Sequence, residues 1–156
     1  MPRFNPAVLA LATTLAACGP TTSTGGPLPA PITASRASAQ WMATLAPVGT
    51  STVRGMTMVN SMSDRQTVQI SITGGAASAV YPWHIHTGSC AGGMGAIVGP
   101  PSSYTALGAG SDGSASLTID LPLMLDASQH YHVNVHASPS DMGTIVSCGD
   151  LAMHGM

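Results

Sequence analysis

The chain has 156 residues, of which only 6% are charged, and its formal net charge is −2. Its four basic residues are all arginines and form no basic patch, which excludes nucleic acid as a partner. The sequence also contains no GxSxG elbow, so serine hydrolase chemistry has no support.

The first 17 residues have the character of an export signal. Arg3 is their only charge, and the apolar run over residues 7–17 is too short to span a bilayer. This run ends in Leu15-Ala16-Ala17-Cys18, which resembles the lipobox of bacterial lipoproteins. The resemblance implies that a lipid on Cys18 anchors an exported protein to a membrane, in the periplasm or at the cell surface of a bacterium. An ordinary signal peptide cut nearby is the alternative, and it also gives an exported protein.

Residues 18–38 are rich in Gly, Pro, Thr, Ser and Ala, with almost no large apolar side chain. Such a segment buries too little surface to offset the entropy of ordering, so we predict a flexible tether. The remainder, residues 39–156, has the size of one domain with a short C-terminal tail.

Short β-runs broken by turn residues dominate this domain. Val68, Ile70 and Ile72 alternate with polar residues, which is typical of a strand with one buried face. No segment keeps a helical period of apolar residues for three turns. The pattern predicts an antiparallel sandwich or barrel. The long segment 91–113 is expected to be a loop with a short strand near residues 96–98. The predicted strands cover residues 41–48, 52–59, 67–73, 80–87, 115–121, 131–136 and 144–148.

Two of these strands carry histidines at alternate positions. His84 and His86 share one face while Ile85 points to the other, so two imidazoles can close on one metal ion. In the later strand, three histidines and Asn134 share one face, which makes a third ligand available. His130, His132 and His136 are these histidines.

Cysteine usage predicts one disulfide. With Cys18 assigned to the lipid, Cys90 and Cys148 remain as one possible pair in a compartment where disulfides persist. The alternative is a pair of thiolate metal ligands, although neither cysteine has CxxC spacing.

Several motifs follow one another in order between residues 39 and 151. They are Val53-Arg54-Gly55, Val68-x-Ile70-x-Ile72-x-Gly74, His84-x-His86-x-Gly88-x-Cys90, Val135-His136, Asp141-Met142-Gly143 and Ser147-Cys148-Gly149. Together they resemble the copper/zinc superoxide dismutase family, and the Asn-Val-His element also resembles chordin-type domains. Both resemblances imply an all-β, Greek-key sandwich or flattened barrel of about eight antiparallel strands.

The dismutase resemblance implies a copper centre. His84, His86 and His136 match three copper ligands, which would be the catalytic residues, and Cys90 with Cys148 matches the disulfide that ties the site loop to the barrel. Strand geometry leaves His132 as an alternative third ligand in place of His136.

The sequence also departs from that family. No histidine occurs between residues 91 and 121, so the bridging and zinc ligands are missing and no zinc is expected. Ile145 stands where the family has its guiding arginine, which weakens attraction of the superoxide anion.

These features lead to three expectations for function. The first is superoxide dismutation by a single copper ion that cycles between two oxidation states. The second is copper buffering or delivery in the cell envelope, with a copper donor or acceptor as partner. The third is a metal-free structural sandwich of the chordin type.

Methionines are abundant. Thioethers are soft Cu(I) ligands, but we expect most of these residues to be adaptable core filler. The end of the chain, Met153-His154-Gly155-Met156, is expected to be a free tail that either captures copper or has no role. The methionines expected in the core are Met42, Met56, Met58 and Met124.

Overall fold

A computed structural model describes residues 39–154, and strands make up most of that part. The predictions of an export signal, a lipidated Cys18 and a tether lie outside the described residues, as does Met156. Two single-turn 3-10 helices, Cys90–Gly92 and Pro101–Ser103, interrupt the long loop. The strands are β1 (Gln40–Pro47), β2 (Arg54–Ser61), β3 (Gln66–Thr73), β4 (Val80–Tyr81), β5 (Trp83–Thr87), β6 (Leu107–Gly108), β7 (Ala115–Leu121), β8 (Tyr131–Ser138) and β9 (Asp141–His154).

Seven of the strands form one curled antiparallel sheet in the order β5-β8-β9-β1-β2-β3-β7. β4 and β6 form a second, two-stranded sheet. The last strand returns to lie beside the first, next to the β1–β2–β3 meander, which is the Greek-key order. The prediction of an all-β Greek-key sandwich or flattened barrel is confirmed.

The period-two pattern of the sequence determines which side chains enter the core. In β3, Val68, Ile70 and Ile72 are buried inside the sheet, whereas Gln69 between them is exposed on its outer face. Burying each such aliphatic side chain contributes about 1.5–3 kcal/mol. The largest fully buried side chain is Trp83 of β5, whose indole N–H donates to the Thr105 carbonyl at 2.9 Å.

Pro82 divides the predicted strand 80–87 into β4 and β5. Proline has no N–H to donate to a ladder, so it marks the point where pairing changes. β4 pairs with β6, whereas β5 pairs with β8. The Pro82 carbonyl instead accepts a hydrogen bond from the His136 N–H at 2.8 Å, which joins the start of β5 to β8.

β9 is longer at both ends than the predicted strand 144–148, and the prediction of a free tail is wrong for Met153 and His154. Both lie in β9, opposite Trp41 and Gln40 of β1 respectively. Adjacent strand residues point to opposite faces, so these two side chains do not converge on one ion. None of the helices among residues 39–154 is long and apolar enough to span a membrane.

The prediction of methionine core filler is wrong for Met56 and Met124, which are 49% and 52% exposed. In β2, Thr57 and Val59 occupy the inner face, so Met56 and Met58 point outward. Met58 and its neighbour Met42 in β1 are only partly buried.

Candidate metal centre

The face of β5 and β8 that lies opposite the core carries a patch of polar side chains. The two strands pair antiparallel, with His84 opposite Asn134 and His86 opposite His132. The intervening Ile85 is fully buried in the core, as the alternation predicts.

The long loop after β5 covers this polar face. The disulfide between Cys90 and Cys148 is present, as predicted, and it ties the start of the loop to β9. Farther along, the Thr87 N–H donates to the Ala96 carbonyl at 3.0 Å, and the Val98 N–H donates to the Ile85 carbonyl at 2.9 Å. The predicted short strand at residues 96–98 is therefore a bridge along the free edge of β5. Because of this cover, His84, His86 and His136 are only 7%, 3% and 2% exposed.

The three imidazoles of His84, His86 and His136 converge on one point. One ring nitrogen from each lies within 4.8 Å of the other two. His84 Nδ1 and His136 Nε2 lie 3.3 Å apart. Such a spacing allows three nitrogens to bind a single metal ion from different directions.

Hydrogen bonding leaves one ring nitrogen of His86 free for a metal. Its Nδ1–H donates to the Gly95 carbonyl at 2.8 Å. The other nitrogen, Nε2, is buried and has no hydrogen-bond partner. A buried polar atom without a partner carries a cost, which a metal ion at this point would remove.

Burial favours the neutral form of His84 and of His136. It lowers the pKa of His84 to about 4, and the nearby His136 and His86 rings add to the effect. Burial also lowers the pKa of His136, against the opposing influence of the Met142 backbone carbonyl. Neutral imidazoles present lone pairs, so these rings suit a metal at neutral pH.

The pKa of His84 predicts how the metal-free protein responds to acid. As the pH falls from 6.5 towards 4, the unfolded chain takes up a proton on His84 that the folded chain does not. The free energy of unfolding should therefore fall by roughly 3 kcal/mol across this range on account of His84 alone. Urea unfolding with a chelator present, from pH 7 to pH 4, measures the loss. His84→Gln should reduce the change in the free energy of unfolding with pH. His130→Gln, at an exposed position, is the control and should leave that change as it is in the parent. An equal change in the parent and in His84→Gln would contradict a lowered pKa of His84.

His132 is fully buried and packs beside the three histidines without joining them. Its ring stacks on His86, with centroids 5.4 Å apart and planes 20° apart. Its Nε2 lies 3.3 Å from the Asn134 side-chain nitrogen, which can donate to it. The group of three converging nitrogens includes His136 and not His132.

Gly95 is a loop residue that sequence reasoning missed. A Cβ at this position would clash with the Thr87 carbonyl oxygen, so only glycine fits where the backbone passes β5. Gly95→Ala should displace the carbonyl that orients His86 and weaken metal binding by about 10- to 100-fold, the usual effect of losing such a support. Gly108→Ala is the matched control, because a Cβ there meets nothing within 4 Å. Competition titrations with a chromophoric chelator compare the variants, and equal affinities would show that the Gly95 contact is unimportant.

Tyr104 is a second loop residue that the sequence did not indicate. Its ring packs edge-on against His84, at a centroid distance of 5.0 Å, and against Trp83 at 5.1 Å. Its hydroxyl donates to the Val98 carbonyl at 2.6 Å, and burial raises its pKa to about 12. Tyr104 therefore closes one side of the site as a neutral phenol.

The part of the chain that the structure describes contains few positively charged side chains that could attract an anion to the three histidines. Ile145 lies directly across from His136 in the β8–β9 pair. Of the two arginines in residues 39–154, Arg65 is paired with Asp64 and Asp120, and Arg54 begins β2, which is three strands away from β8 in the sheet. The same residues include six aspartates, so an anion gains little attraction from the described part of the chain.

The chain was compared with known protein families and with curated proteins. No family profile matches it, and no curated protein matches it.

Proposed function

We propose that His84, His86 and His136 hold one copper ion and that the chain uses it to dismutate superoxide. The convergence of three buried imidazoles within 4.8 Å is the observation that carries the proposal. Three nitrogen ligands suit trigonal Cu(I), and water or another ligand can complete Cu(II). The choice of copper rests on the resemblance to the superoxide dismutase family and on the general order of affinities, in which Cu(II) exceeds the other divalent first-row ions.

Bound copper would supply an electron acceptor for one superoxide and an electron donor for the next. Two superoxide anions and two protons then give dioxygen and hydrogen peroxide. The chain's own contribution is to hold the three imidazoles in fixed positions at a largely buried site. Gly95 orients His86, Tyr104 closes the side next to His84, and solvent supplies the protons.

Copper storage or delivery without turnover is a second candidate. It is favoured by the position of Ile145 opposite His136, where a cation would attract superoxide, and by the excess of aspartate over arginine. A focused positive field raises encounter rates by about 10- to 1,000-fold, so its absence slows an enzyme more than a carrier.

Superoxide turnover measured by pulse radiolysis separates the two candidates. We expect the copper-loaded chain starting at Gly19 to turn over superoxide faster than the same concentration of zinc-loaded protein. The rate should not fall as salt is added. Ile145→Arg should raise the rate about tenfold at low ionic strength and make it fall with salt, whereas Ile145→Gln should do neither. If the protein binds one copper ion but its turnover only equals that of the zinc-loaded protein, dismutation is contradicted and copper storage or delivery remains as the function.

We also propose that the protein is exported and anchored through a lipid on Cys18. The support is the leader-like sequence that ends in Leu15-Ala16-Ala17-Cys18. In a bacterial host, the full chain should partition into the detergent phase of Triton X-114, and Cys18→Ser should move it to the aqueous phase. If the unaltered chain partitions into the aqueous phase, the proposal of a lipid anchor on Cys18 is contradicted.

A further inference from the structure

The outer face of β1, β2, β3 and β7 carries large apolar side chains of one type only. They are Met42 in β1 and Met56 and Met58 in β2. The other side chains on this face are small, polar or charged. Arg54 and Asn60 flank the two methionines of β2, and Ala152 of β9 lies opposite Met42. The remaining neighbours are Gln40, Thr44, Gln69, Ser71, Ser116 and Thr118. A surface that packs against an apolar partner would also carry leucine, valine or aromatic residues. The presence of methionine alone therefore points to a role for the thioether sulfur.

The strand register brings the three methionines together. Met42 lies directly opposite Met58, and Met56 lies two residues from Met58 on the same face. Their Cβ atoms are then roughly 5 Å apart across the strands and about 7 Å apart along β2. Methionine is unbranched and flexible, so its sulfur can swing over these separations to a common point.

The three methionine side chains lie on the outer face and are exposed or only partly buried. Met56 is 49% exposed and, with Met58, lines a groove of about 350 Å³. The Met58 sulfur accepts a hydrogen bond from the Gln40 amide nitrogen at 3.5 Å. The core beneath is completed by Thr57 and Val59, both fully buried, so it does not require the outward methionines.

We propose that Met42, Met56 and Met58 form a second metal site, for a soft monovalent cation such as Cu(I). Three thioethers suit a trigonal Cu(I) ion, because soft sulfur ligands prefer soft metals. No carboxylate stands among these three side chains and their surrounding polar residues, so hard cations such as Mg²⁺ or Ca²⁺ find no ligands here. β9 alone separates β1 from β8, the strand that carries His136, and the site does not depend on the histidines for any ligand.

Silver(I) is the probe, because it is soft, monovalent and stable in air. The chain starting at Gly19 is labelled at the methionine methyl carbons, titrated with Ag(I) and followed by NMR. The signals of Met42, Met56 and Met58 should shift together and saturate, while those of the exposed Met62 and Met94 should not follow them. The same shifts should persist in His84→Ala, which shows that the thioether site is separate from the histidine site. Shifts spread evenly over all methionines, or lost in His84→Ala, would overturn the proposal.

Two triple variants test the site by its stoichiometry. Met42→Leu/Met56→Leu/Met58→Leu should bind one Ag(I) fewer than the parent. The matched control, Met62→Leu/Met94→Leu/Met124→Leu, removes three exposed thioethers elsewhere and should bind as many as the parent. Leucine conserves volume, so both variants should unfold at the same urea concentration as the parent. Unchanged stoichiometry in the first variant, or an equal loss in both, would overturn the site; if the first variant unfolds, the NMR titration of the parent decides alone.

Discussion

Replacing His84 or His136 with alanine is expected to weaken copper binding by at least about 100-fold. Each change removes one of three nitrogens that lie within 4.8 Å of one another, and two ligands remain in a buried site. Loss of a residue that merely supports a metal ligand costs 10- to 100-fold, and loss of a ligand should cost more. Competition against a chromophoric chelator measures the affinity, and urea unfolding confirms that the variants are folded.

Two other histidine changes serve as controls. His130→Ala alters an exposed side chain and should leave copper binding unchanged. His132→Phe keeps an aromatic ring stacked on His86 and should retain one copper ion, because His132 is outside the converging group. Loss of copper in His132→Phe with retention in His136→Phe would exchange the roles of these two residues.

Removing the disulfide is expected to lower both stability and copper affinity. Cys90 and Cys148 are 58 residues apart, and on the chain-entropy model a bridge over that loop contributes about 4 kcal/mol. The bridge also holds the segment that leads to Gly95, whose carbonyl orients His86. The double variant Cys90→Ser/Cys148→Ser should therefore unfold at lower urea and, while still folded, bind copper at least about tenfold more weakly.

The double variant avoids a free thiol that could bind copper itself. The parent treated with a phosphine reductant is the matched comparison, and its stability should fall by a similar amount. Full copper affinity in the folded double variant would show that the strands alone orient the histidines. Unchanged stability would show that the bridge does not constrain the unfolded chain.

The sequence predicted those parts of the site that depend on strand alternation. His84 and His86 share a face and Ile85 enters the core because successive strand residues point to opposite sides. The choice between His132 and His136 depends on tertiary structure. Both are two residues from Asn134, the cross-strand partner of His84. The pairing of β8 with β9 becomes irregular on either side of His136, which strand alternation does not predict.

Other features could not be predicted from local pattern. Gly95 and Tyr104 act through a loop whose path is determined by long-range hydrogen bonds to β5. In β2, the order Met56-Thr57-Met58-Val59 places apolar residues on both faces, so alternation alone does not show that the methionines point outward. The pairing of Met153 and His154 with β1 likewise depends on a partner more than a hundred residues earlier in the chain.

Pulsed EPR of the protein loaded with one equivalent of Cu(II) identifies the residues that bind the copper ion. With the imidazoles labelled with ¹⁵N, we expect hyperfine couplings between the Cu(II) electron spin and the nitrogens of three histidine rings. The couplings from one ring should be lost in His136→Phe. Couplings from fewer than three histidines in the parent, or an unchanged spectrum in His136→Phe, would contradict a copper site formed by His84, His86 and His136.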